Sequence, residues 1–120
     1  MITKDYRKGL HILAEIKTDD VSRLSDAEPF IQYVHEHIVK LGLNQLGHVK
    51  HNFEGGGFTA VVCLTESHLS VHTWPEFGII TTDVYLSNFL NDNADACRKL
   101  YVFIKQYFGG DEINLQEVWR

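Results

Sequence analysis

Cysteine, proline and long apolar runs are all scarce in this 120-residue chain, and each shortage removes a class of protein. Two cysteines, Cys63 and Cys97, are too few for a disulfide scaffold, so a reduced, cytoplasmic setting is expected. No apolar run approaches the roughly 20 residues that cross a bilayer, which argues against a membrane partner. The opening residues 1–8 carry positive charge with no apolar stretch behind them, the wrong pattern for a secretory leader. Basic residues are the minority charge, 11 Lys and Arg against 16 Asp and Glu, for a net charge of −5. Nucleic-acid affinity rests on Lys and Arg displacing counterions, so a nucleic-acid partner is not expected. Only Pro29 and Pro75 interrupt the chain, and no linker, repeat or low-complexity tract divides it. With 44% hydrophobic residues, positions 1–120 are expected to form a single domain around one core.

Periodicity orders what is present. Residues 9–17 alternate well enough for a strand. A helix is predicted from Asp26 to about Leu41, capped by Ser25 or Asp26, with Pro29 tolerated in its first turn. Its apolar stripe is Phe30, Ile31, Val34, Ile38 and Leu41. Strands are predicted over about 44–53, 58–66, 69–74 and 78–86, with the flexible Gly55-Gly56-Gly57 between the first two. A second helix should begin near Asn91 or Asp92 and stop at Gly109-Gly110, before a last strand over about 112–118. The order β-α-β-β-β-β-α-β suits an α+β fold. Specifically, it suits a two-layer α/β sandwich, a largely antiparallel sheet with two helices on one face.

Reactive side chains are densest in Thr65-Glu66-Ser67-His68-Leu69-Ser70-Val71-His72-Thr73-Trp74-Pro75-Glu76, at the end of an apolar strand. Four readings are open on residue chemistry. His68 and His72 with Glu66 or Glu76 could hold a metal. Residues four apart on a strand lie about 13 Å apart, however, so the chain would have to turn between them. Ser67, His72 and an acid could form a hydrolytic triad, although no Gly-x-Ser-x-Gly elbow surrounds the serine. The stretch could also be a polar hairpin corner with Trp74 and Pro75 as packing residues. Lastly, Ser67 could attack the preceding carbonyl and convert the Glu66–Ser67 amide to an ester. A nearby histidine could then remove the Cα proton and break the chain by β-elimination. The dehydroalanine left behind would hydrolyse to a pyruvoyl group.

The eleven residues Glu66 to Glu76, followed by Asp83-Val84-Tyr85, resemble the signature of the prokaryotic S-adenosylmethionine decarboxylase proenzymes. Gly9-Leu10-His11 and Gly57-Phe58-Thr59-Ala60-Val61-Val62 extend the similarity. The resemblance implies a zymogen that cleaves autocatalytically between Glu66 and Ser67, into chains of residues 1–66 and 67–120. Ser67 would become the pyruvoyl group that forms a Schiff base with substrate. His72 would be the processing base, assisted by Thr59. Glu76 would bind the ribose hydroxyls of the substrate, and Phe53 and Trp74 would lie around the adenine. The implied activity is a lyase reaction of polyamine biosynthesis, the decarboxylation of S-adenosyl-L-methionine that supplies the aminopropyl donor for spermidine. Neither a metal nor pyridoxal phosphate is implied. The resemblance also implies a cytoplasmic homodimer with sites shared between subunits.

One departure bears on chemistry. Where the family continues with a cysteine that returns a proton to the substrate, this chain has Ser87, followed by Asn88 in place of a glycine. An alcohol is a far weaker acid than a thiol, which titrates near ~8.5. Two alternatives are therefore carried: a relative acting on arginine or ornithine, and a non-catalytic regulatory or degenerate paralogue. Cys63 is expected to be a small apolar core residue and Cys97 a structural one. Of the remaining histidines, His51 is close enough in sequence to Phe53 to form a pocket wall.

Overall fold

Strict alternation builds the sheet. Phe58, Ala60, Val62 and Leu64 are buried while the residues between them are not, and Leu69, Val71, Ile80 and Val84 continue the rule on the next two strands. The structure, a computed structural model, describes residues 6–120. The chain runs β1 (Leu10–Lys17), α1 (Ala27–Lys40), β2 (Gln45–Asn52), β3 (Phe58–Leu64), β4 (Ser67–Trp74), β5 (Ile79–Leu86), α2 (Ala94–Phe108) and β6 (Asp111–Trp119). A short 3-10 turn at Val21–Arg23, not anticipated from sequence, precedes α1. The six strands form one antiparallel sheet in the order β2-β3-β4-β5-β1-β6.

Helix α1 starts where the Asp26 carboxylate accepts the Glu28 N–H, which supplies one of the partners that the first turn lacks. Helix α2 ends at Gly109, whose φ of 66° is left-handed, a conformation that glycine adopts without a Cβ penalty. The helix starts at Ala94, two to three residues later than expected, because Asn88 organises the segment before it. The Asn88 side chain accepts the Asn93 N–H at 2.7 Å and donates to the Lys8 carbonyl at 2.9 Å. Both helices lie on one face of the sheet, α1 over β2 and β3 and α2 over β1 and β5. Between them an aromatic cluster forms, with the Phe30 ring 5.5 to 5.9 Å from those of Phe58, Tyr107 and Phe108. Burying these rings and the Leu, Ile and Val side chains around them is the main stabilising term.

Among the described residues, no helix covers the second face of the sheet. That face presents Thr59, Val61 and Cys63 from β3, His68, Ser70 and His72 from β4, and Thr81, Asp83 and Tyr85 from β5. Cys63 is exposed there, which corrects its expected place in the core. It is an odd-numbered residue on β3, and odd positions of that strand point away from the helices. Cys97 is buried in α2, and its thiol donates to the carbonyls of Leu10 and Val84.

Candidate active site

Strands β3 and β4 form a hairpin in which Leu64 pairs with Ser67, so Thr65 and Glu66 alone make the turn. Tight turns place their positive φ values on turn residues, commonly Gly or Asn. Here the positive φ, 142°, falls on Ser67, the sole non-glycine residue among those described to adopt one. Holding a side chain-bearing residue there costs of order 1–3 kcal/mol, which the paired strands on both sides sustain. The Glu66 carbonyl accepts a 2.7 Å hydrogen bond from the Ser87 N–H. The Glu66 side chain is held as well, accepting the Asn44 N–H at 3.3 Å. Beside this peptide a cavity of about 100 Å³ opens between Thr65, Glu66, Ser87 and the exposed Phe89 and Leu90. A strained serine thus follows a carbonyl polarised by a backbone donor.

At the far end of β4, Thr59 lies opposite His72, and Thr59 Oγ1 is 2.9 Å from His72 Nδ1. A cavity of about 390 Å³ is bounded here by Phe53, Gly56, Thr59, His72, Trp74 and Glu76. With Thr73 they make seven lining residues, and five of the seven, from the stretches 53–59 and 72–76, are ones that the sequence singled out for the site. His51 stands edge-on to Phe53 with ring centres 4.8 Å apart, as a pocket wall would. Thr73 fixes the floor: its Oγ1 accepts the Phe58 N–H at 2.8 Å and donates to the Leu24 carbonyl at 2.6 Å. Gly57, at φ 87°, is needed because a Cβ there would meet the Thr73 carbonyl at 2.8 Å.

The expectation that His72 lies close to Ser67 is not met within one chain. Ser67 and His72 are five residues apart on a continuous strand, which separates them by about 16 Å at the usual rise. They also differ in side. Ser67 pairs with Leu64 and Leu86, both buried toward the helices, whereas His72 is on the open face. Strand β4 begins at Ser67 rather than Leu69, so no bend shortens the path.

A third constellation escaped the sequence reading. On the open face, Asp83 Oδ2 accepts from His11 Nε2 at 2.8 Å and from His68 Nε2 at 2.9 Å, and Oδ1 accepts from the Ser70 hydroxyl. Burial works to raise the Asp83 pKa, but the bonds from Ser70, His11 and His68 prevail and hold it below the usual carboxylate range. The Arg120 guanidinium lies over the Tyr85 ring at 5.1 Å, with Nη1 3.3 Å from His11 Nδ1. Strand alternation could have put His11, His68 and Asp83 on one face, but only the strand order β4-β5-β1 makes them neighbours.

A polarised carbonyl and a strained hydroxyl on adjoining residues are what a chain needs to make a carbonyl cofactor from itself. The residues at the hairpin therefore fit a pyruvoyl group, and with the two-layer sandwich they define a proenzyme of the self-processing carboxy-lyase class. Residues 10–120 match the protein family described as S-adenosylmethionine decarboxylase, and the chain belongs to that family. A relative named S-adenosylmethionine decarboxylase proenzyme, from Aquifex aeolicus, is 38% identical over 98 residues, covering 82% of this chain and 70% of its own length. One of the same name from Pelotomaculum thermopropionicum is 31% identical over 112 residues, covering 93% and 86%. The crystal structure of the adenosylmethionine decarboxylase from Aquifex aeolicus superposes with a TM-score of 0.77 at 26% identity, covering 96% of this chain and 90% of that one. The two-layer sandwich expected from the element order is the architecture they share. Decarboxylation of arginine or ornithine, and a non-catalytic role, draw no support from these likenesses. No helix among the described residues is long and apolar enough to cross a membrane.

Proposed function

We propose that this chain cleaves itself between Glu66 and Ser67, giving chains of residues 1–66 and 67–120, and then decarboxylates S-adenosylmethionine as a homodimer. The observation that carries the reading is the Ser87 N–H aimed at the carbonyl of Glu66, directly before the strained Ser67. When Ser67 Oγ attacks that carbonyl, negative charge develops on the oxygen that the Ser87 amide already contacts. A preorganised donor at that position favours the transition state. The amide becomes an ester, and the strain at residue 67 is released as its peptide bond breaks. Removal of the residue 67 Cα proton then expels the Glu66 carboxylate. The dehydroalanine remaining takes up water and loses ammonia to give the pyruvoyl end.

The base for this step is His72. With Nδ1 protonated and donating to Thr59 Oγ1, Nε2 presents its lone pair. Because His72 lies a strand's length from Ser67 in the same chain, the base that serves Ser67 comes from a second copy. Two antiparallel copies of β4, related by a two-fold axis, bring the His72 end of one over the Ser67 end of the other. The open sheet face has no helix to cover it, which suits such a contact.

Once formed, the pyruvoyl group supplies the electron sink for loss of CO2 from an amino acid. The chain's own residues do the rest. The Glu76 carboxylate accepts hydrogen bonds from the ribose hydroxyls, and Phe53 and Trp74, each about half exposed in the free chain, flank the adenine. The net charge of −5 suits a sulfonium cation. Intact mass of the purified protein tests the first step. Fragments of residues 1–66 and 67–120 are expected, the second with a blocked N-terminus, and one persistent 13.8 kDa chain would overturn the proposal. Release of labelled CO2 from S-adenosylmethionine, and not from arginine or ornithine, tests the second.

A further inference from the structure

Loss of CO2 leaves the substrate Cα one proton short, so a decarboxylase needs an acid close to residue 67. The Ser87 hydroxyl is too weak an acid. The Cys97 thiol is pushed up to about 12 by burial and is already donating to two backbone carbonyls. Two candidates remain, Cys63 and His68, paired across β3 and β4 on the open face. His68 is bonded directly to residue 67, their Cα atoms about 3.8 Å apart. The uncut Ser67 faces the helices, but a cut before it leaves residue 67 as the free end of β4, able to turn toward the open face that carries His68.

The two imidazoles on Asp83 are not equivalent. Arg120 Nη1 can only donate, so His11 Nδ1 must accept, and the one proton of His11 sits on Nε2, facing Asp83. His11 is buried, with 7% of its surface exposed. His68 is in a different position. Its side chain is 39% exposed, its Nε2 donates to Asp83, and its Nδ1 has no hydrogen-bond partner among the described residues. A second proton can bind at Nδ1, its charge offset by the Asp83 carboxylate.

We propose that His68 is the acid that returns the proton to the substrate Cα, with Asp83 and His11 as positioning residues. This rests on the decarboxylase reading above. The Cα–H bond forms as the His68 Nδ1–H bond breaks, the imidazole is left neutral on Asp83, and water restores its proton. Histidine exchanges a proton near neutral pH more readily than any other side chain, which suits it to this step.

The test uses the cleaved protein and S-adenosylmethionine, and reads two quantities. One is labelled CO2. The other is the fraction of the 67–120 chain that regains a free amino end. Protonation at the wrong carbon would leave the substrate's nitrogen on residue 67, turning the blocked pyruvoyl end into alanine that N-terminal degradation can read. His68→Gln should still cleave, should release CO2 on the order of 100-fold more slowly, and should accumulate the alanine end at least about ten-fold more per turnover. Cys63→Ser should change neither quantity. If His68→Gln cleaves and keeps both the wild-type rate and a blocked end, or if Cys63→Ser produces the alanine end instead, the proposal fails. Should His68→Gln not cleave, Asp83→Asn decides by the same reading: a raised alanine fraction supports the proposal and an unchanged one overturns it. An unmodified chain that neither cleaves nor releases CO2 would instead defeat the decarboxylase reading itself.

Discussion

The Ser87 amide donates a 2.7 Å hydrogen bond to the Glu66 carbonyl, joining the end of β5 to the turn between β3 and β4. The donor belongs to the backbone, so side-chain replacement at 87 leaves it in place, and proline removes it. Self-cleavage of Ser87→Pro should be slower by about 10²–10³, the usual effect of losing one such donor. Ser87→Ala should cleave at least ten times faster than Ser87→Pro. Time-resolved intact mass on freshly purified proenzyme measures both, with circular dichroism to check that the proline variant is folded.

The proposed sharing of the site between two copies predicts complementation. Ser67→Ala and His72→Ala chains should each remain uncleaved alone. Co-expressed, they form heterodimers in which one site keeps an intact Ser67 and an intact partner histidine. The His72→Ala chain is then the one that is cut, in about half of its copies if pairing is random. Absence of any cleavage in the mixture would mean that His72 acts within its own chain.

Thr59 presents a hydroxyl to His72 Nδ1 at 2.9 Å. Removing it in Thr59→Val keeps the side-chain shape and discards one hydrogen bond, worth about 0.5–1.5 kcal/mol. Cleavage should slow by roughly 2- to 10-fold, while Thr59→Ser should stay near the wild-type rate. Accumulation of a hydroxylamine-sensitive ester in Thr59→Val would locate the loss at proton removal.

Asp83 gives a pH-dependent contribution whose sign follows from its environment. Its folded pKa lies below the unfolded value, so the stabilisation is present above about pH 4 and is lost as the pH falls through the folded value. Thermal midpoints of the uncleaved Ser67→Ala protein should exceed those of Ser67→Ala/Asp83→Asn at neutral pH. The gap should close as the pH is lowered below about 4.

Thr73 is buried and uses its hydroxyl in both directions, toward Phe58 and toward Leu24. Thr73→Val leaves a buried N–H and a buried carbonyl without partners, a cost of about 1–3 kcal/mol. Urea unfolding of the Ser67→Ala background should register that loss.

How much the sequence disclosed depended on how local each feature is. The stripe of Phe30, Ile31, Val34 and Ile38 and the alternation of Phe58 to Leu64 are read within one element, and both elements formed within two residues of expectation. The start of α2 was placed too early because the Asn88 side chain, not helix propensity, governs the residues before it. Thr59 and His72 meet because the β3–β4 register pairs them, and Phe53, Trp74 and Glu76 border the same cavity. The His11–Asp83–His68 cluster joins positions 72 and 15 residues apart, and its neighbours follow only from strand order. The Ser87–Glu66 contact uses backbone atoms, which residue identity does not encode. Ser67 and His72, close in sequence, were expected to be close in space, and the straightness of β4 is what keeps them apart.

The strand order has a further consequence for the cut chain. A break between Glu66 and Ser67 assigns β1, β2 and β3 to one fragment and β4, β5 and β6 to the other, yet β1 lies between β5 and β6. The fragments are therefore interlocked: neither can leave without dismantling the sheet of the other, and the nick itself disturbs little of the native packing. What it changes is the unfolded state. Before the cut, refolding is a first-order event of one molecule. Afterwards two solutes must find each other, so recovery from denaturation becomes bimolecular and fails on dilution. Cleavage at that bond would thus make the enzyme's lifetime depend on how rarely it opens.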